Sequence, residues 1–261
     1  MYTKDVKLKI QSTIIASVCF ISTQVFAVSY SDSAKKDEVI IENKTDVTLP
    51  YKQRRGQYGG LFSVNYESFK PINYFSLIKS TDYEGISENK GIPLLGLEIG
   101  FKYNFSYGSV SALAGYSSGS ISNETKNLEE LTAHITKFAM NLALDGIGNE
   151  PYIVPFAQLG IHSISWTEVS RIGPTTKEEN FNTKYNLSYK IGLGFQLNWI
   201  EKSIDPNSNE EALRSSGLEN TYLDVFYSAY SKPSQVADAV GVEGEPDLES
   251  NQFGAGLKLE F

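Results

Sequence analysis

The sequence has few of the residues that support redox, metal or acid–base chemistry. Among 261 residues it contains one cysteine and two histidines, which are Cys19, His134 and His162. A single cysteine cannot form a disulfide within the chain, and the two histidines are far apart, with no carboxylates at the spacing of metal ligands. We therefore expect no disulfide, no metal site and no cofactor.

A cluster of basic residues is also lacking. The chain has 23 Lys and Arg against 31 Asp and Glu, which gives a formal net charge of −8 at pH 7. Binding to nucleic acids depends on clustered Lys and Arg that neutralise phosphates. The composition therefore excludes nucleic acid as an expected partner.

No hydrophobic run near the N-terminus reaches the roughly 20 residues that a transmembrane helix needs. A shorter apolar run, Ile14–Ile21, follows three lysines and precedes the small residue Ala27. This arrangement predicts a secretory signal peptide at residues 1–27, cleaved near Ala27, and an uncleaved membrane anchor is the alternative. Cys19 lies in this segment, and its lipidation is disfavoured because Val18 is larger than the residue that a lipobox requires.

Residues 28–57 are rich in Lys, Asp, Glu, Ser and Thr and show no regular period. This composition predicts a flexible segment, which we place in the periplasm. A short strand near residues 39–41 is the alternative for part of it.

From residue 58 onward, apolar and polar residues alternate. Every second residue is apolar in residues 253–261, and the same pattern occurs in residues 94–106 and 185–199. A period of two residues indicates a β-strand with one apolar face. The mean hydropathy is slightly polar, which still agrees with a membrane barrel because only every second residue of such a strand faces lipid.

The alternating segments fit a transmembrane barrel better than a soluble sandwich, whose strands alternate as well. They are longer than the usual five or six residues of globular strands. Aromatic residues such as Tyr103 and Trp199 lie near their ends, as in the aromatic girdles of membrane barrels. The reverse assignment of faces would place Lys102 and Lys190 in lipid, where a basic side chain costs about 2–4 kcal/mol at the midplane.

We therefore expect an all-β fold, a closed antiparallel up-and-down transmembrane β-barrel over residues 58–261. Its eight strands are predicted at residues 58–69, 94–106, 109–117, 131–144, 152–166, 183–199, 219–230 and 252–261. The connections after odd-numbered strands are long, as extracellular loops are, and lie at residues 70–93, 118–130, 167–182 and 231–251.

Two segments depart from this scheme. The connection 200–218 is long although it belongs on the periplasmic side, and either a short helix opened by a capping box at Ser208–Glu211 or a miscounted strand would explain it. Within residues 131–144 the apolar phase changes between Ile135 and Phe138, which suggests a β-bulge.

The chain resembles the eight-stranded outer-membrane barrels that include the OmpA transmembrane domain, OmpX and the opacity-type surface antigens. The resemblance covers residues 58–261 and rests on motifs at residues 151–160, 192–195 and 223–227 and on the apolar residues of the last strand, Phe253, Leu257, Leu259 and Phe261. It implies an outer-membrane location among lipid and lipopolysaccharide. It also implies recognition of the terminal strand, through Phe261, by the barrel-assembly machinery.

Several charged residues are predicted to face the barrel interior. They carry both signs and are Glu67, Glu98, Lys102, Lys190, Asp224, Lys258 and Glu260. Buried charges are tolerated when they are paired, so we interpret them as a network that satisfies the lumen and fixes the register. A gated narrow pore is the functional alternative.

The sequence gives little support for an enzyme, and we expect no catalytic residues. Some barrels of this type act on lipid A through a His with a nearby Ser or acid, but neither His134 nor His162 belongs to a matching motif. The acidic residues at 243–249 could bind Ca²⁺ loosely, but we favour a solvated loop, because a site for such a cation needs six or more converging oxygens.

The functional hypothesis is therefore a structural, adhesin-like surface protein. Its extracellular loops would bind host molecules, other cells or lipopolysaccharide, because binding functions commonly reside in loops on a rigid scaffold. The alternatives are a narrow porin for small solutes and, with less support, a lipid A-modifying enzyme.

Overall fold

The computed structural model describes residues 49–76, 78–79, 81–199, 217–232 and 247–261. Contacts divide the chain into residues 1–43 and 44–261, and every described residue belongs to the second unit. The predicted signal peptide, most of the predicted flexible segment, most of the 200–218 connection and the acidic residues before 247 lie outside the described residues. In the described part, no helix combines the length and the apolar character needed to cross a membrane.

The described chain consists mainly of β-strands with two short helices. Helix α1 is Tyr51–Arg54 and helix α2 is Tyr83–Ser87, and a single 3₁₀ turn spans Glu124–Lys126. The strands are β1 Tyr58–Phe69, β2 Ile92–Phe105, β3 Gly108–Asn123, β4 Leu128–Ala143, β5 Ile153–Ile172, β6 Thr175–Asn182, β7 Asn186–Gln196, β8 Asn220–Tyr230 and β9 Ser250–Glu260.

Eight of these strands close into an antiparallel barrel. The order is β1-β2-β3-β4-β5-β7-β8-β9, and β9 pairs with β1 to close the sheet. The seam continues through reciprocal backbone hydrogen bonds between Gly60 and Phe261. The predicted fold, a closed all-β barrel of eight antiparallel strands, is confirmed, and β6 is an additional strand that the sequence analysis did not predict.

The predicted extracellular loops 118–130 and 167–182 are wrong, because both regions are largely strand. β3 and β4 continue to a tight connection at residues 124–127, and β5 continues to Ile172 before β6 returns alongside it. Gly173, at φ +60°, allows the tight turn between β5 and β6. Polar residues dominate these extensions, and this made strand sequences resemble loops.

The suspected bulge in β4 is also wrong. The pairing of β4 with β3 and with β5 runs without interruption from Leu131 to Ala143, and the irregularities lie only near Ile121 and Leu128. Odd-numbered residues of β4 face inward throughout this stretch. The phase change in the sequence therefore reflects a change in which face is apolar, with no shift in the backbone.

The two helices lie at opposite ends of the barrel. Helix α1 precedes β1, at the end where the β2–β3 and β4–β5 turns lie, and Lys52 donates its backbone N–H to Asn149 of the β4–β5 turn. Helix α2 lies in the β1–β2 connection at the other end. The Asp82 side chain caps it by accepting the Gly85 backbone N–H at 2.8 Å.

Candidate functional site

The outer wall of the barrel carries a band of apolar side chains. Across β3, β4, β5 and β7, three adjacent rows of cross-strand partners are all apolar or aromatic. They are Val110–Leu142–Ala157–Ile191, Ala112–Met140–Leu159–Tyr189 and Ala114–Phe138–Ile161–Leu187. Their larger side chains are exposed, Leu159 and Met140 to more than 60%, and the band continues around β8, β9, β1 and β2.

The next rows outward on the same strands are polar. They are Tyr116–Thr136–Ser163, Ser118–His134–Ser165–Asn182 and Ser120–Thr132–Thr167–Asn180. The outer wall therefore changes from apolar to polar within one step along each strand, between Phe138 and Thr136 on β4.

The lumen changes polarity at the same level in the opposite sense. On the apolar-band side of the boundary, the inward residues of β4 and β5 include Asn141, Gln158, Lys137 and His162, all buried. Beyond it they are Leu131, Ala133, Ile135, Ile164 and Trp166, which belong to a buried apolar cluster. At the same position along the strand, therefore, the outer face changes from apolar to polar and the inner face changes from polar to apolar.

This inversion identifies the surroundings of the barrel. A strand of about 9–11 residues crosses a bilayer at a tilt, and the apolar outer stretch of β5, Ile153 to Ile161, has that length. A closed barrel satisfies every backbone group of the wall, as hydrocarbon requires. The chain is therefore a membrane-spanning β-barrel with the architecture of bacterial outer-membrane proteins, and its strands extend beyond the membrane on one side.

All seven charged residues that the sequence analysis assigned to the interior are buried in the lumen. In the middle of the membrane segment, Glu98 accepts from Lys137 at 2.7 Å and from Lys190 at 3.0 Å. Asp224 lies 3.5 Å from Lys258. The sequence analysis missed Lys137, although its position in the alternation of β4, two residues from Ile135 and from Ala139, places it on the inward face.

Glu67 forms a second group in the lumen, with uncharged donors. Its carboxylate accepts from Ser228 at 2.8 Å, Tyr230 at 3.0 Å and Gln252 at 2.8 Å. These bonds join β1 to β8 and β9 across the closing seam.

A third polar group closes the lumen at the α1 end. Lys102 contacts Glu260 at 2.7 Å and Asp145 at 2.8 Å, and Arg55 pairs with Asp145 at 2.7 Å. Tyr51, 0% exposed, donates to Glu260 at 2.8 Å and accepts from Lys102 at 2.7 Å. The sequence analysis missed Tyr51 and Arg55, because the polar composition of residues 28–57 gives no signal that part of the segment enters a barrel, and it missed Asp145, which lies in the β4–β5 turn.

Asp145 and Tyr51 are among the groups in this cluster whose pKa values are shifted. Burial alone would raise the pKa of the Asp145 carboxyl, but Lys102 and Arg55, with a hydrogen bond from Ser109, outweigh it and hold that pKa below its ordinary range. Burial, followed by the charges of Glu260 and Asp145, raises the pKa of the Tyr51 hydroxyl well above its ordinary value. The carboxylate is therefore charged and the phenol neutral near pH 7.

The extracellular end of the lumen is filled by an apolar core. Its members are Phe69, Tyr74, Tyr83, Ile86, Ile92, Leu94, Leu128, Leu131, Ala133, Ile135, Ile164, Trp166, Tyr230 and Leu248. Tyr83 and Ile86 come from helix α2, so the β1–β2 connection is packed inward as a cap. Burial raises the pKa of the Tyr83 hydroxyl.

A buried carboxylate holds this cap. Glu168 of β5, 0% exposed, accepts from Tyr74 and Ser76 of the cap at 2.6 Å each and from Ser170 at 3.1 Å. Hydrogen bonds to a charged group are among the stronger ones in proteins. The β1–β2 connection is therefore a fixed part of the barrel.

A cavity of about 30 Å³ lies between the Glu98 and Asp224 pairs and is lined by Gln158, Lys190 and Lys258, among others. It has room for about two water molecules, since each needs roughly 10–15 Å³. Gln158 Nε2 and Asp224 Oδ1, both without a protein hydrogen-bond partner, are suited to such waters.

The residues of the predicted assembly signal lie on the outer wall. Phe253 is 77% exposed, and Leu257 and Phe261 are each 42% exposed. They form the lipid-facing side of the last strand.

The two histidines lie on opposite faces. His134 is on the outer wall, where Nδ1 is 2.9 Å from the Tyr116 hydroxyl, and His162 is in the lumen, in edge contact with the Tyr230 ring. Among the described residues, no group of three or more His, Cys, Asp and Glu is arranged to hold a metal ion.

No protein-family model matches the sequence, and no curated protein matches it. Solved structures of bacterial barrels are similar in fold. The N-terminal β-barrel domain of OprF from Pseudomonas aeruginosa is 10% identical, with a TM-score of 0.40, and the match covers 79% of this chain and all of that chain. Ail, the attachment invasion locus protein of Yersinia pestis, is 13% identical, with a TM-score of 0.41 and coverage of 79% and 99%. The outer membrane protein OprG from Pseudomonas aeruginosa is 11% identical, with a TM-score of 0.41 and coverage of 79% and 97%.

Proposed function

We propose that this outer-membrane barrel is a surface-binding protein whose contact region is the sheet formed by the extracellular parts of β3, β4, β5 and β6. The observation that carries the proposal is the inversion of polarity along the strands. It supports a position outside the membrane for residues 163–172 of β5, whose odd-numbered side chains face outward, and for β6, on a scaffold fixed by the apolar core. Binding surfaces commonly occur on such exposed elements of a rigid framework.

This proposal moves the binding role from flexible loops to a rigid sheet. The sequence analysis counted the β1–β2 connection among the binding loops. In the structure, Tyr74, Tyr83 and Ile86 of this connection are buried in the apolar core, where they form the cap. By contrast, the β5–β6 hairpin is exposed along nearly all of β6 and carries Arg171, Lys177 and Glu178. The hairpin is therefore the element best placed to reach a host or cell-surface ligand.

The packing of the lumen argues against the narrow-porin alternative. The Tyr51 cluster fills one end, the apolar core fills the other, and the cavity of about 30 Å³ between them has room for about two water molecules. We expect purified protein in planar bilayers to show no conductance steps. Discrete conductance steps that change in the Lys190→Ala variant would instead support the narrow-porin alternative.

We further propose that the barrel-assembly machinery recognises the last strand through Phe253, Leu257, Leu259 and Phe261. Their exposure on the lipid side of the closing strand supports this role. Phe261→Ser should reduce the amount of barrel in the outer membrane. Asn251→Ser, on the same face nearer the extracellular end, is the control.

The binding role is tested by shortening the hairpin. Replacing residues 170–177 by Asn-Gly, the preferred two-residue hairpin turn, removes the tip and keeps Trp166 and Glu168. Cells displaying this variant should lose adhesion to cultured epithelial monolayers, while the protein keeps heat-modifiable migration on gels. Unchanged adhesion with a folded variant would refute the binding role of the sheet.

A further inference from the structure

The apolar band contains a groove on one side of the barrel. It has a volume of about 460 Å³, within the range of roughly 300–1,000 Å³ typical of small-molecule sites. Its floor is the small side chain of Ala157, flanked by Leu142 and Ile191, and Met140, Leu159 and Tyr189 border it one row above. Asn141 and Gln158 also line it, but they belong to the inward faces of β4 and β5, so the outward side chains around the groove are apolar or aromatic and suit an acyl chain.

Beyond the apolar row of Phe138 and Ile161, which borders the groove, the polar rows of the outer wall contain only hydroxyl, amide and aromatic side chains. Neither Lys, Arg, Asp nor Glu occurs among Tyr116, Thr136, Ser163, Ser118, His134, Ser165 and Asn182, or in the row of Ser120, Thr132, Thr167 and Asn180. Hydroxyl and amide groups both donate and accept hydrogen bonds, as sugar hydroxyls do. Phosphate, by contrast, is typically bound by Arg and Lys.

Tyr116 and His134 add a flat element at the boundary. Their rings are stacked with an interplanar angle of 15° and are joined by the 2.9 Å contact between the Tyr hydroxyl and Nδ1. Tyr116 remains 51% exposed. An exposed ring offers an apolar surface to the C–H face of a sugar while its hydroxyl is hydrogen-bonded to His134.

The groove and the polar rows lie on the same strands. From Leu159 in the groove to Ser163 in the first polar row is four residues of β5, or about 13 Å at roughly 3.3 Å per residue. One amphipathic molecule spans that distance.

We propose that this face of β3, β4, β5 and β7 is a binding site for a lipid with a saccharide headgroup. One acyl chain lies over Ala157, and the sugar contacts the neutral rows around Thr136 and His134. The inference rests on the outer-membrane location of the barrel, and it is separate from the proposed contact through the β5–β6 hairpin.

The test compares two lipids with identical acyl chains, diglucosyl diacylglycerol and phosphatidylglycerol. Full-length protein, folded in detergent, is mixed with each lipid and the bound fraction is measured by native mass spectrometry. Wild type should retain the glycolipid about tenfold better than phosphatidylglycerol. Equal retention of the two lipids would overturn the proposal.

Two variants separate the parts of the site. Ala157→Leu fills the groove and should lower retention of both lipids, whereas Ala255→Leu, a matched lipid-facing change on β9, should have no effect. Thr132→Val with Thr136→Val removes two hydroxyls at nearly constant shape and should abolish only the preference for the sugar. If Ala157→Leu retains both lipids as well as Ala255→Leu does, the groove does not bind an acyl chain.

Heat-modifiable migration and cell fractionation keep this result distinct from the proposed function. A protein absent from the outer-membrane fraction would contradict both proposals. A protein that is in that fraction and mediates adhesion, but does not prefer the glycolipid, contradicts only the lipid site.

Discussion

The membrane half and the extracellular half of the barrel are built from the same strands with opposite rules. In the membrane half the outside is apolar and the lumen holds paired charges, whereas in the extracellular half the outside is polar and the lumen holds an aromatic core. On β4 the change falls between Phe138 and Thr136 outside and between Lys137 and Ile135 inside. The comparison shows that the surrounding solvent decides which face of a strand is apolar, while the backbone continues unchanged.

The largest expected effect comes from breaking the charge network of the membrane half. Glu98→Ala leaves the ammonium groups of Lys137 and Lys190 buried without their shared carboxylate. Removing one partner of a buried pair costs about 3–5 kcal/mol. Urea unfolding in lipid vesicles, followed by circular dichroism, measures this loss.

The matched control replaces a carboxylate in water. Glu130→Ala, on the outer wall of the extracellular half, should change stability by less than about 0.5 kcal/mol. Comparable losses in the two variants would mean that the lumen is not a low-dielectric interior.

The apolar core of the extracellular half is tested next. Trp166, 1% exposed, packs against Tyr74 with ring centroids 4.9 Å apart. Trp166→Ala should cost about 3–4 kcal/mol, as truncation of large buried aromatics does, and proteolysis should then cut the β1–β2 connection. A protease-resistant connection in this variant would show that the core does not hold the cap.

The outer wall gives a smaller and directly comparable effect. Leu159→Arg places a charge in the apolar band and should cost about 2–4 kcal/mol, the range for a basic residue near the midplane. Thr167→Arg, on the same strand beyond the boundary, should cost less than about 0.5 kcal/mol. The same unfolding assay measures both losses of stability. Equal losses at the two positions would mean that both residues face the same environment, which contradicts a boundary between them.

The smallest effect concerns the polar cluster at the α1 end. The pKa of Asp145 is lowered in the folded state, so its contribution is complete above the ordinary carboxyl pKa of about 3.9 and is lost as the pH falls through the lower folded value. Asp145→Asn should destabilise the barrel by about 1–2 kcal/mol at pH 7, comparable to the loss of charged hydrogen bonds. It should also flatten the decline of stability between pH 5 and pH 3, and a decline as steep as in wild type would contradict the assignment.

The sequence allowed the membrane half to be predicted well, since alternation with a period of two directly reports a wall between lipid and a polar lumen. The extracellular half was harder. Ile164 and Trp166 continue the inward phase of β5, but polar partners such as Thr167 and Glu168 made residues 167–182 look like a loop. Strand pairing and α2 packing decide that region, and neither leaves a local pattern.

The polar site in the lumen was predicted only in part, because only residues within a regular alternation can be assigned to a face from the sequence. Lys102 and Glu260 lie in clear alternation, so their inward direction could be read from the sequence. Tyr51 and Arg55 enter the lumen from a segment without any period, and Asp145 comes from a turn. Their roles depend on contacts across the barrel that only the three-dimensional structure brings together.

The central claim is that the membrane surface crosses β4 between residues 138 and 136. Single nitroxide labels at positions 140, 138, 136 and 134, in a Cys19→Ser background, test it most directly by collision with oxygen and with a water-soluble nickel chelate. Labels at 140 and 138 should favour oxygen, and labels at 136 and 134 should favour the chelate. Uniform access of the chelate to all four positions would contradict the account, because the apolar wall would then face water.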